Sequence, residues 1–190
     1  TKIFIQPKAG FRVFDQKRDA EGSLQDNQSI GGLVGVTWDL TGVTFAEFGI
    51  GLVRQTYANP NFESPTNLDF SGKLIWNPND LFTISSNLTR STSESNTAGE
   101  SGVLSTGWSN SIDYDFLDNV IISAGFSFSV STNQETKRED NDRSITAGIR
   151  YLVNENWSAN LNFGNSIRSS TVAGENFKNF TVGFGLTGKL

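Results

Sequence analysis

The chain has 190 residues, a net charge of −5, and no Cys, Met or His, with 19 Gly, 15 Phe and 36% hydrophobic content. Without Cys there is no disulfide or thiolate-metal site, and without His the commonest general base and metal ligand are missing. The acidic balance argues against nucleic acid, which needs a basic face, and no apolar run approaches the roughly 20 residues of a membrane helix. Low hydrophobicity combined with many aromatics fits a wall in which only every second strand residue meets lipid.

In chain order the predicted elements are hairpins. Thr1-Lys2-Ile3-Phe4 opens a strand over 2–14 and does not read as a signal peptide, so an exported protein has lost its leader before this point. A polar stretch over 16–28 follows, and the returning strand ends at Trp38-Asp39-Leu40-Thr41-Gly42-Val43. The same aromatic-then-turn pattern recurs at Trp76-Asn77-Pro78-Asn79-Asp80-Leu81, Tyr114-Asp115-Phe116-Leu117-Asp118-Asn119 and Tyr151-Leu152-Val153-Asn154-Glu155-Asn156. Turn residues of this kind join hairpin strands. The leading aromatics at 38, 76, 114 and 151 are spaced by 38, 38 and 37 residues. Longer polar stretches lie midway, at 58–66, 92–103, 133–143 and 168–177. The expectation is one domain over 1–190 with five hairpins and ten strands, tight turns near 41, 78, 117 and 154, and both chain ends on the short-turn, periplasmic side. Strands of about 10–14 residues exceed the roughly 9–11 that a tilted strand needs to cross a membrane. Short turns at one end and long loops at the other are the asymmetry of an outer-membrane barrel.

The strands alternate with period 2, the mark of one apolar face. Val120, Ile122, Ala124, Phe126, Phe128 and Val130 oppose Ser123, Gly125, Ser127, Ser129 and Ser131, with Ile121 the exception. Phe180, Val182, Phe184 and Leu186 oppose Thr181, Gly183, Gly185 and Thr187. Trp157, Ala159, Leu161, Phe163 and Ile167 oppose Ser158, Asn160, Asn162, Gly164 and Ser166, and Leu68, Phe70, Leu74 and Trp76 oppose Asp69, Ser71 and Lys73. The polar faces carry small residues rather than many Lys and Glu, as a confined lumen would. Trp38, Trp76, Tyr114, Tyr151 and Trp157 gather at the short-turn end, where an interfacial girdle belongs. The fold expected is an all-β, antiparallel, up-and-down transmembrane β-barrel, with a soluble β-sandwich binding module as its rival.

Three stretches carry a more specific likeness: 38–51 from Trp38 to Gly51, 72–81 from Gly72 to Leu81, and 148–154 from Gly148 to Asn154. They resemble the "putative β-barrel porin 2" family of Gram-negative outer-membrane proteins, over most of this chain and the later part of the family domain. The resemblance implies a barrel of greater length, serving as a passive pore or in export of surface polysaccharide, with periplasmic export partners. The sequence departs from outer-membrane barrels at its end, Gly188-Lys189-Leu190, where those proteins usually carry an aromatic.

Alternation places Lys8, Arg12, Asp39, Glu47, Asp69, Lys73, Asp113 and Arg150 inward, as candidate pore-lining charges or as charges neutralising one another in a filled barrel. Asp69 and Lys73 share a face and read as a wall ion pair rather than a catalytic pair, so neither an enzyme nor a cofactor is expected. Arg54 and Arg90 have lipid-facing parity near the long-loop end, where each can reach lipopolysaccharide phosphate. The stretch from Glu135 to Arg143 holds three acids at 139, 140 and 142, but Lys137, Arg138 and Arg143 compete for them, so it reads as a solvated loop and not a calcium site.

Two functional alternatives remain beside a pore or polysaccharide export channel. One is a non-conducting barrel that scaffolds an envelope complex; the other is the soluble module. Outer-membrane lipids and lipopolysaccharide are the expected partners, with oligomerisation or a shared wall. Lipid tolerates no open sheet edge. The running period and the missing terminal aromatic lead to the expectation that this is a segment of a larger wall, with 2–14 not pairing with 178–190.

Overall fold

The computed structural model describes residues 1–13, 26–62, 64–94 and 102–189. It contains ten strands: β1 (Lys2–Arg12), β2 (Asn27–Asp39), β3 (Thr44–Tyr57), β4 (Thr66–Asn79), β5 (Phe82–Glu94), β6 (Gly102–Leu117), β7 (Val120–Asn133), β8 (Glu139–Leu152), β9 (Trp157–Ser170) and β10 (Phe177–Gly188). They form one antiparallel sheet in sequence order, each strand paired with its chain neighbour. This is the up-and-down wall the alternation predicts. Among the described residues there is a single sheet with no second layer against it, which sets the sandwich aside.

The short turns are built by Asx chemistry. Asp39 Oδ1 accepts the Gly42 N–H at 3.2 Å, and Gly42 holds a left-handed φ of 72°. Asn79 Oδ1 accepts the N–H groups of Leu81 and Phe82, and Asn154 Oδ1 those of Asn156 and Trp157. An oxygen that ties down its own backbone two or three residues on favours a turn over a continuing strand. Two turns fall later than expected, at 80–81 and 118–119 rather than near 78 and 117. The register slips between Trp76 and Asn79 and between Asp115 and Leu117. At the first of these, Pro78 has no N–H to offer the ladder.

The long connections are shorter than the polar stretches suggested. The chain leaves the sheet only over 58–65, 134–138 and 171–176, while the loops within 16–28 and 92–103 lie largely outside the described residues. The largest correction concerns 139–143. These residues begin β8 and are not a solvated loop. Their two faces are both polar, so they carry no period-2 signal. Pairing with β7 and β9 nevertheless extends through them.

Register and burial define two faces. The outward one carries Ile3, Ile5, Ile30, Val34, Leu52, Ile145, Phe180 and Phe184, all more than half exposed. The inward one holds the few buried side chains, Leu33, Val53, Gln55, Tyr57, Asp69 and Asn133. A water-soluble domain hides its large apolar residues. Here the apolar face is the exposed one. The sheet is open among the described residues: β1 pairs only with β2 and β10 only with β9.

Candidate functional site: the inner face of the wall

The inner face has two unlike parts. Along β2 and β3 the inward positions include Gly31, Gly35, Gly49 and Gly51. A Cβ at Gly51 would run into the backbone of Gly32 and Leu33, and one at Gly31 into that of Leu52 and Val53. The two backbones therefore close toward each other on the inner side, and only glycine permits that approach. The sheet creases there. Phe4 from β1 lies over Gly35 and Gly49, and Leu33 and Val53 are buried in the fold of the crease.

The crease carries Lys8 of β1 across two strands to Asp69 of β4, with Nζ 3.2 Å from Oδ2. Asp69 is 3% exposed and its other oxygen has no partner among the described residues. Alternation placed both residues inward but matched Asp69 with Lys73. In the sheet Lys73 stands opposite Glu47, which accepts the Thr37 hydroxyl at 3.3 Å. Nearer the long loops, the Tyr57 hydroxyl donates to Gln55 Oε1 at 2.7 Å. A Cβ at Gly102 would touch that hydroxyl and Gln134, so the Tyr57 side chain reaches the start of β6.

From β6 to β10 the inner face is open and hydroxylated. Ser105 and Ser131 hydrogen-bond at 2.9 Å, Ser127 and Ser144 at 2.7 Å, and the Ser123 hydroxyl donates to Asp113 at 2.6 Å. Each is a pair on adjacent strands, directly opposite in register. Arg150 is exposed and borders a pocket of about 70 Å³ with Ser123, Gly148, Asn160 and Asn162. Near the loops, Arg168 donates to both Asp142 oxygens at 2.7 and 2.9 Å and lies over the Phe177 ring at 5.3 Å. Reading 139–143 as loop hid this pair and Asp140. The unbroken parity of Asp140, Asp142, Ser144, Thr146, Gly148 and Arg150 was the available signal. The same parity separates the three acids, with Glu139 outward and Asp140 and Asp142 inward. No group of three or more potential metal ligands assembles among the described residues.

The eight candidate pore charges thus share a face without forming one centre. Lys8 meets Asp69, Glu47 faces Lys73, and Asp113 is held by Ser123. Asp39 serves its turn, while Arg12 stands at the long-loop rim and Arg150 near the short-turn rim. Trp38, Trp76, Tyr114, Tyr151 and Trp157 all point outward beside the short turns. Phe82 stacks on Tyr114 at 4.5 Å between ring centroids. Arg54 and Arg90 also point outward, away from that rim. At the short-turn rim a cleft of about 730 Å³ lies among Asp80, Leu81, Asp115, Phe116, Asp118 and Leu152.

Among solved structures the chain is similar to the FrpB iron transporter from Neisseria meningitidis (F3-3 variant), with a TM-score of 0.62 and 11% identity. The match covers 84% of this chain and 30% of that one, so the chain spans under a third of the transporter's length. At that identity the likeness is one of fold. No curated protein matches the chain in sequence. The sequence profile of the family described as "Putative beta-barrel porin 2" matches residues 1–190, and the chain belongs to that family of β-barrel porins.

Proposed function

We propose that this chain is part of the wall of a channel in the bacterial outer membrane, its inner face lining a passive pore or a path for surface polysaccharide. The observation that carries the reading is the inner face of β6 to β10. Ser105, Ser109, Ser127, Ser129, Ser144, Asn160 and Asn162 line its middle, and the apolar side chains Val103, Ile121, Leu152 and Phe177 are confined to the strand ends. A hydroxyl and amide surface of this kind exchanges hydrogen bonds with water and with sugar hydroxyls alike, and holds neither tightly. Two carboxylates there are paired within the wall, Asp142 with Arg168 and Asp140 with Arg138, and Asp113 accepts the Ser123 hydroxyl, which suits uncharged polar solutes better than ions. No catalysis is assigned: the carboxylate best placed for it, Asp69, is engaged by Lys8.

A non-conducting scaffold is the second reading, and the creased half supports it. Leu33, Val53, Gln55, Tyr57 and the Lys8–Asp69 pair fill the inside of β1 to β4 as a plug would. The full-length protein in planar bilayers separates the two. A channel gives stepwise ohmic current with weak ion selectivity, reduced by added neutral polysaccharide. A stably inserted protein that passes no current at any voltage leaves the scaffold.

A further inference from the structure

The outward face carries a pattern that the channel reading does not use. Arg54 on β3, Arg90 on β5, Arg143 on β8 and Lys178 on β10 all project outward. Arg54 is ten positions from Thr44 at the short-turn end of its strand, and Arg90 is eight from Phe82. Arg143 is nine from Leu152, and Lys178 ten from Gly188. Four strands thus place a cation at one height above the same rim. At about 3.3 Å per residue and a tilt of about 40°, nine residues rise roughly 23 Å, close to the roughly 25 Å of a barrel's apolar band.

Each cation ends an outward run made mainly of apolar residues: Phe48, Ile50 and Leu52 below Arg54; Ile145, Ala147 and Ile149 beside Arg143; Phe180, Val182 and Phe184 beyond Lys178. Trp108 occupies the same height on β6, nine positions from Leu117, and donates Nε1–H to Ser86 at 3.1 Å. It is the tryptophan that the short-turn girdle leaves out, and it marks a second interface. Among the described side chains, the outward strand positions hold one carboxylate, Glu139 at the far end of β8, which accepts the Asn141 amide at 2.8 Å. None of the four cations is ion-paired among the described residues. Arg90 donates to Thr106 at 3.1 Å but keeps a buried Nε without a partner, and Arg143 lies over the Phe128 ring at 5.7 Å.

We infer that Arg54, Arg90, Arg143 and Lys178 form a phosphate-binding belt on the lipid-facing side of the wall, taking headgroup phosphates of the outer leaflet. The inference rests on the membrane-wall reading. Unpaired cations of one sign, set where the apolar band ends, attract the anionic groups that lie at that depth. Aromatic and threonine neighbours hold two of them in place, which lowers the entropy lost on binding.

The test uses the full-length protein in phosphatidylcholine nanodiscs, titrated with lipid A, with retained lipid counted by native mass spectrometry. Arg54→Gln with Lys178→Gln removes two cations that make no side-chain bonds among the described residues, and a second variant adds Arg90→Gln and Arg143→Gln. The expected result is retention weakened about tenfold or more in the double variant and further in the quadruple one. Arg150→Gln, on the inner face, leaves retention unchanged. Equal retention by wild type and both variants overturns the belt. So does equal protection by inorganic phosphate alone, or loss of a second protein copy instead of lipid. The underlying reading is checked separately with spin labels at positions 126 and 127 of the wild type. Preferential relaxation by lipid-dissolved oxygen at 126 alone upholds the wall, and equal responses overturn wall and belt together.

Discussion

The two halves of the inner face start from the same alternation and end in different interiors. In β2 and β3 the inward positions are often glycine, the backbones close into a crease, and Lys8 reaches Asp69 on the fourth strand. In β6 and β7 half of them are serine, and the hydroxyls bridge adjacent strands at ordinary spacing. A hydroxymethyl group occupies the room that a crease would need, whereas glycine leaves it empty. Inward glycine therefore permits a crease without compelling one, since Gly148, Gly164, Gly183 and Gly185 also point inward in the half that stays open.

The sharpest way to break this contrast is to give glycine a methyl group in each half. Gly51→Ala puts a carbon into the backbone of Gly32 and Leu33, which no rotamer relieves. The expected cost is about 1–3 kcal/mol, as for overpacking, read as a lower urea midpoint and a loss of heat-modifiable gel migration. Gly183→Ala, where nothing lies within 4 Å of the new carbon, is expected to be silent by the same assay. Equal effects would remove the crease as the cause of the difference.

The next effect concerns Lys8 and Asp69. Lys8→Gln leaves a buried carboxylate without its cation and should cost about 1–2 kcal/mol, reduced because Lys8 is itself partly exposed. Asp69→Asn combined with Lys8→Gln should recover part of the loss, and a double-mutant cycle measures the coupling. Additive losses would show that the two do not interact.

In the open half the expected changes are smaller. Arg150→Gln should shift the reversal potential of a conducting protein toward cations, by up to about twofold in permeability ratio, because it removes a lumen cation with no carboxylate paired to it among the described residues. Lys8→Gln changes the charge equally but uncovers a carboxylate, Asp69, that is buried in the crease, and should shift it less. Ser127→Ala breaks the bond to Ser144 and should cost about 0.5 kcal/mol, since water replaces the lost hydroxyl. A loss as large as that of Gly51→Ala would mean that serine pairing holds the open half together.

What the sequence alone determined was local. Period-2 alternation assigned the faces of Phe126 and Ser127, of Phe180 and Gly183, and of Arg54 and Arg90, because a strand turns each side chain opposite to the last. The 38-residue spacing of Trp38, Trp76 and Tyr114 located the short turns to within a few residues, and Asp39, Asn79 and Asn154 close three of them. The signal failed where both faces are polar, so Glu139 to Arg143 passed for a loop and the Asp142–Arg168 pair went unseen. Only the tertiary structure decided which inward residues meet. Lys8 and Asp69 are 61 positions apart and come together because glycines on two intervening strands let the sheet crease. Curvature of that kind is a property of neighbouring strands taken jointly, and no single strand's pattern contains it.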